Sequence, residues 1–347
     1  MVINVNVNEL INYYPLDTLK CFERPKLILT EYMRTNAMLY RLLFNELLYS
    51  DDFDNFIERK TGIRFHKVSE KIENFQYTIE NIIDFGVPIM VKIDHLYEPL
   101  WENFVPGEHE PHTVIVKGYD KEDYILIDED YSQDYFGVKN KRIRMDYCER
   151  KIKKDKLYLL ASNAYQAFPD DSMLDEQHFV YYYPLKMDDR RECMIDEIRV
   201  DFQKLIKEIL CHLENDINEM EFGIKCAIGN FNSILNSKQI DYNYKYIWLK
   251  YDGYAVPKEV FKIFSRATTL KMYQIFFENM GFPDFDNSSC LHKVDITRAH
   301  YEKCKNLFRK AVFSKNVNPC RNILLTLHDL YCAEKTLYET FLDMKFD

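Results

Sequence analysis

Apolar residues are spaced in two different ways along this chain of 347 residues. In the first half they come in short runs and alternations. In the second half they recur at steps of three and four. The first half opens with a helical pattern over about 25–48, where Leu29, Tyr32, Met33, Leu39, Leu43 and Leu47 share a stripe. Strand-like runs follow. VPIMVKID (87–94) is one, entered through a turn at Gly86. HTVIVKGYD (112–120) and DYILID (123–128) read as a hairpin turning around Asp120-Lys121-Glu122. LYLLAS (157–162) is a further strand candidate, and VYYYPL (180–185) a last one, ended by Pro184.

From about residue 188 the period is helical. Ile195, Ile198, Phe202, Leu205, Ile209, Leu213, Ile217 and Met220 form one long stripe. A second helix is expected over 257–280, opened by Pro257 and stopped by Gly281 and Pro283. A third is expected after Asp295 as N-cap, and a fourth at Asn318-Pro319, a cap followed by a first-turn proline. The pattern predicts an α+β domain over 1–165, a polar connecting segment over 166–187, and a mainly α-helical domain over 188–347.

Composition narrows the function classes. Hydrophobic residues make up 47% and charged ones 29%, enough to build a packed core. The net charge of −10 argues against non-specific nucleic-acid binding and against anionic membrane surfaces, so neither partner is expected. The N-terminus lacks the basic and apolar regions of a signal peptide, and no stretch approaches 18 uninterrupted apolar residues. A cytoplasmic protein with reduced cysteines is the expectation. Its nine cysteines form no CxxC pair and no zinc-ligand spacing with histidine, so no metal site is predicted. Phosphate-binding glycine loops, a dinucleotide fingerprint and a GxSxG elbow are all missing.

Three residues suggest a nucleophile, a base and an orienter. Cys21 lies just before the first helical pattern, whose Pro25 fits a first turn. A thiol there gains acidity from the helix dipole, and unpaired N–H groups nearby are suited to an oxyanion hole. His112 begins the strongest strand and Asp128 ends its hairpin partner. They lie at similar distances from the turn and are expected as cross-strand neighbours, the arrangement in which a carboxylate orients an imidazole. A buried structural cysteine, a strand-edge histidine and an acidic turn are the plainer readings of the same residues. Asp94, ending strand 87–94, either binds an amine or caps its loop. His95 and His109 lie close by in sequence. The basic run containing Arg142, Arg144, Arg150, Lys151 and Lys153 reads either as a docking patch for an acidic partner or as a solvated β-edge.

The order Cys21, His112, Asp128 resembles a papain-like arrangement in its compact C39-like peptidase form. The matching segments are His112-Thr113-Val114-Ile115-Val116-Lys117-Gly118-Tyr119-Asp120 and Tyr124-Ile125-Leu126-Ile127-Asp128. Together with Val91-Lys92-Ile93-Asp94-His95-Leu96-Tyr97-Glu98-Pro99 leading into Pro111-His112, the segment is similar to the N-terminal domain of the butirosin biosynthesis protein H family. The papain-like amide-forming enzyme of closthioamide-type polythioamide assembly looks like a relative of the same kind. The resemblance spans roughly 15–165. It implies a papain-like/C39-like catalytic domain followed by a helical domain that shapes an acceptor pocket or docks a carrier. It also implies acyl transfer rather than proteolysis, within specialised-metabolite biosynthesis. An acyl group leaves the phosphopantetheine thioester of an acyl or peptidyl carrier protein, passes through Cys21, and ends as an amide on a small amine acceptor. No other cofactor is implied. Catalysis would fall to Cys21, His112 and Asp128, substrate contacts to Asp94, His95, Tyr97 and His109, and carrier docking to the basic run. Hydrolysis of an amide or thioester by the same triad is the alternative, and a binding protein that merely keeps the fold is a third reading.

Overall fold

A computed structural model describes residues 1–5, 23–44, 53–94, 96, 109, 111–129, 147–167, 178–189, 192–235, 258–282 and 285–344. The chain divides into two compact units. One comprises Met1–Arg41 and Tyr49–Met194, the other Leu42–Leu48 and Ile195–Asp347.

The first unit is α+β. Its elements are α1 (Glu23–Met33), α2 (Met38–Leu43, shared with the second unit), α3 (Phe53–Thr61), β1 (Ile63–Lys71), α4 (Phe75–Asp84), β2 (Ile89–Asp94), β3 (Pro111–Tyr119), β4 (Asp123–Glu129), β5 (Tyr147–Lys153), α5 (Lys154–Ser162), α6 (Ala164–Ala167) and β6 (His178–Lys186). The six strands form one antiparallel sheet in the order β1-β6-β2-β3-β4-β5. Every residue of β2 is buried, as expected of a central strand covered on both faces. Gly86 takes φ +79° on the way into β2, a conformation that favours glycine. On one face Phe75 of α4 meets Tyr124 and Phe179 edge-on, with ring centroids 6.1 and 4.9 Å away.

Four expectations for this unit are corrected. The single helix over 25–48 is broken into α1 and α2 at Asn36, which has φ +63°. The Glu31 carboxylate accepts from the N–H groups of Asn36 (3.1 Å) and Met38 (3.3 Å), so the second helix starts on a side chain of the first. Residues 157–162 are helical, because Leu157, Leu160 and Ala161 are buried at a helical rather than an alternating period. Pro184 does not end its strand. It lies past Tyr182, the last β6 residue paired to β2, where only β1 remains as a neighbour. Since β6 inserts between β1 and β2, the sheet unit runs on to Met194, and residues 178–186 belong to the sheet rather than to a connector.

The second unit consists of helices, chiefly α7 (Ile195–Gly229), α8 (Phe231–Leu235), α9 (Lys258–Asn279), α10 (Asn287–Ser314) and α11 (Asn318–Leu342). The long stripe predicted on α7 is buried from Ile198 to Met220. Phe202, Tyr273 and Phe341 meet at centroid distances of 5.4 and 5.5 Å in the bundle core. The third helix starts earlier than expected. Asp286 caps it, accepting from the N–H groups of Ser288 and Ser289, and Asp295 lies inside it. Pro319 does occupy the first turn of α11, although the cap residue is Val317.

At the centre of this bundle lies a buried carboxylate. Glu334 is fully buried and accepts hydrogen bonds from the hydroxyls of Tyr301 and Tyr338, both at 2.6 Å. Arg266 lies 3.5 Å from the same carboxylate and reaches Asp216 of α7 at 2.9 Å. Four helices are joined through these groups, with the carboxylate charge balanced by a guanidinium. Among the described residues no helix is long and apolar enough to cross a membrane.

Candidate functional site

The expected pair forms at one end of the sheet. His112 Nε2 lies 2.6 Å from Asp128 Oδ1, with His112 2% and Asp128 1% exposed. The register explains the meeting. Ile115 pairs with Ile127, so one residue further on Val114 stands across from Asp128 and His112 is its diagonal neighbour. Both side chains share a sheet face with Tyr124, the face covered by α4. An ionised Asp128 accepts from Nε2–H. That bond fixes the ring orientation and assigns the basic lone pair to Nδ1. Burial strengthens it, since both groups sit where water screens little.

A second histidine–carboxylate pair occupies the same strand end. Asp94 is fully buried. Its Oδ1 accepts from the Leu96 N–H at 3.0 Å, and its Oδ2 lies 2.8 Å from His109 Nδ1. The Asp94 side chain therefore caps its loop and holds an imidazole at once. Ile93 pairs with His112 and Asp94 with Pro111, so alternation sends Asp94 and His112 to opposite sides of the β2–β3 ladder.

Cys21, His95 and Tyr97 lie outside the described residues, as do Arg142 and Arg144 of the basic run. Helix α1 begins two residues after Cys21 in sequence, and Pro25 stands in its first turn. The described part of the basic run is strand β5, at the edge of the sheet. Lys151 pairs with Asp120 at 2.7 Å, and Lys153 with Glu122 at 2.8 Å and Asp123 at 3.2 Å. The Lys151 ammonium, aided by the N–H groups of Asp123 and Glu122, holds the Asp120 carboxyl well below the usual carboxylate range. These two lysines are matched by the acidic turn of the neighbouring hairpin, which fits the solvated-edge alternative. Arg150 is half-buried, on the opposite side of the strand from them.

The other cysteines differ in availability. Burial pushes the Cys290 thiol up to about 12 and Cys320 to about 11, and raises Cys304 as well, so none of these is a thiolate near neutral pH. Cys211 and Cys332 are exposed. Sequence reasoning passed over Cys148, which the β4–β5 register sets directly across from Asp128. Its signal was the strand pairing itself, and strand β5 had not been predicted beyond the edge alternative. No protein-family profile matches this chain, and no curated protein matches it.

Proposed function

We propose that the protein is a cysteine-dependent acyltransferase of papain-like/C39-like fold that forms amides from carrier-protein thioesters. The buried 2.6 Å hydrogen bond between His112 and Asp128 carries this reading. It supplies an oriented base three strands from the sheet's far edge, next to the segment whose sequence resembles the amide-forming family. In this scheme His112 takes the Cys21 proton. The thiolate attacks the thioester carbonyl, and the pantetheine thiol leaves with that proton. Exchange of one thioester for another is close to isoenergetic and aminolysis of the product is downhill, so the sequence needs no nucleotide-binding motif. Asp128 holds the ring and stabilises its cationic form.

The test is intact-protein mass spectrometry after mixing the protein with a simple acyl thioester. One acyl adduct is expected, lost in Cys21→Ala and discharged to an amide by an added primary amine. An adduct discharged only by water would assign a hydrolase instead. Adducts spread over several cysteines, or none, would reject the acyl-transfer reading altogether.

A further inference from the structure

The His112–Asp128 bond poses an electrostatic question. An imidazole held against a buried carboxylate is favoured as its cation, and an imidazolium cannot take a proton from a thiol. A base in that position needs a positive charge close to the carboxylate to offset it. Strand β5 carries one. Leu126 pairs with Arg150 and Asp128 with Cys148, so Arg150 stands on the same sheet face as Asp128, diagonally across from it. Burial along β5 agrees. Cys148 and Arg150 are half-buried and Ile152 is buried, whereas the alternating Glu149, Lys151 and Lys153 are exposed. The Arg150 Nε and Nη1 atoms are themselves buried. The guanidinium therefore turns inward, away from the solvent where a docking partner would meet it.

We infer that Arg150 is a positioning residue of the His112–Asp128 pair, whose charge offsets the Asp128 carboxylate and lowers the pH at which the His112 imidazole becomes a free base. Its part in catalysis rests on the acyl-transfer reading above. Arg150 thereby leaves the basic run as a docking residue and joins the site. The other ionisable groups on this face do not supply the same charge. Cys148 of β5 stands directly across from Asp128, and Tyr124 of β4 shares the face, but neither side chain is ordinarily charged at neutral pH. From the helices that cover the face, Glu80 and Asp84 of α4 and Lys154 of α5 gather at the Tyr119–Tyr124 end of the hairpin, four residues along β4 from Asp128. There Lys154 pairs with Glu80 at 2.6 Å and lies over both tyrosine rings, and Asp84 accepts from the Tyr119 hydroxyl. Tyr158 of α5 meets Phe75 edge-on. Among the described residues, Arg150 is the permanent cation beside Asp128 on this face.

The experiment reads the His112 ring directly, by NMR pH titration of its Cε1–H signal, assigned by its absence in His112→Gln. In Arg150→Met the midpoint is expected to rise by about half a unit to one unit. Arg150→Lys keeps the charge and is expected to recover at least half of that shift. Lys151→Met, on the exposed side of the same strand and already paired with Asp120, is expected to leave the midpoint in place. The wild-type protein gives a second reading that needs no substitution. A charge appearing on the ring is felt at the guanidinium, so the Arg150 Nε–H signal must shift with the same midpoint. An unmoved midpoint in Arg150→Met would overturn the assignment, whether it came with a lower melting temperature, as for a purely structural arginine, or with weaker use of a carrier-bound donor, as for a docking one. A flat Arg150 signal in the wild type would overturn it as well. With a small thioester as donor, the acid limb of Cys21 acylation is expected to move upward with the ring titration. Wild-type protein that never acquires an acyl group would overturn the acyl-transfer reading, while the ring titration, run without substrate, decides the role of Arg150 separately.

Discussion

Each unit of the molecule buries a carboxylate at a structurally central point, yet the two are surrounded differently. In the helical unit Glu334 is met by two tyrosine hydroxyls and a guanidinium, none of which titrates near neutral pH. Such a cluster fixes the relative register of helices and has no proton to exchange. In the sheet unit Asp128 and Asp94 are each met by an imidazole, the one side chain whose ordinary pKa falls between pH 5 and 8. The same burial that locks the first cluster holds each imidazole of the second against its carboxylate. What separates the two units here is the partner and not the carboxylate.

The comparison can be broken most sharply at His112. His112→Ala is expected to lower the rate of Cys21 acylation by about 10²–10⁴-fold with little change in unfolding temperature; acylation at the wild-type rate would remove the distinction between the units. Next in size is Glu334→Ala. It leaves Arg266 buried opposite a lost charge and is expected to destabilise the helical unit by about 3–5 kcal/mol, with Glu334→Gln costing visibly less in a denaturant titration. An unchanged midpoint would show that the cluster is not structural.

Alkaline pH sharpens the contrast further. The unfolded chain releases its cysteine protons from about pH 8.5, whereas native Cys290 and Cys320 hold theirs to about 12 and 11. The unfolded state then binds fewer protons than the native one, so stability falls as pH rises through this window. In the sheet unit the corresponding groups are Tyr124 and Tyr181, both raised by burial, Tyr181 to about 12, and their unfolded pKa of about 10 delays the onset. Calorimetric scans from pH 8 to 11 should show the helical transition weakening first. Simultaneous loss would contradict that order. The smallest effect belongs to the rim of the sheet. Lys153→Ala removes exposed ion pairs and should leave a thermal melt unchanged within error.

How legible these features were depends on how local their cause is. The hairpin and the His112–Asp128 meeting follow from alternation and turn position over 17 consecutive residues, and the sequence predicts both. Strand β1 escaped because only Ile63 is buried along it, so its polar residues mask the strand period. The place of β6 depends on a partner far away in sequence, which no local pattern encodes. Residues 157–162 show a different failure. A six-residue apolar run fits both periods, and burial against the sheet decided for the helix. The acidic turn at Asp120 was visible, but its pairing with Lys151 required knowing that β5 lies beside β4.

The insertion of β6 between β1 and β2 also sets an order of assembly. Strands β2, β3 and β4 neighbour one another along the chain and can pair as soon as they are made. Strand β1 is synthesised before them but must wait for a partner about 100 residues further on, a loop whose closure is slow more than it is costly. Until β6 arrives, the meander that carries both histidines exposes the unpaired edge of its most apolar strand, β2. A nascent chain halted before residue 178 would hold the His112–Asp128 pair in nearly finished form and be at its most prone to aggregate.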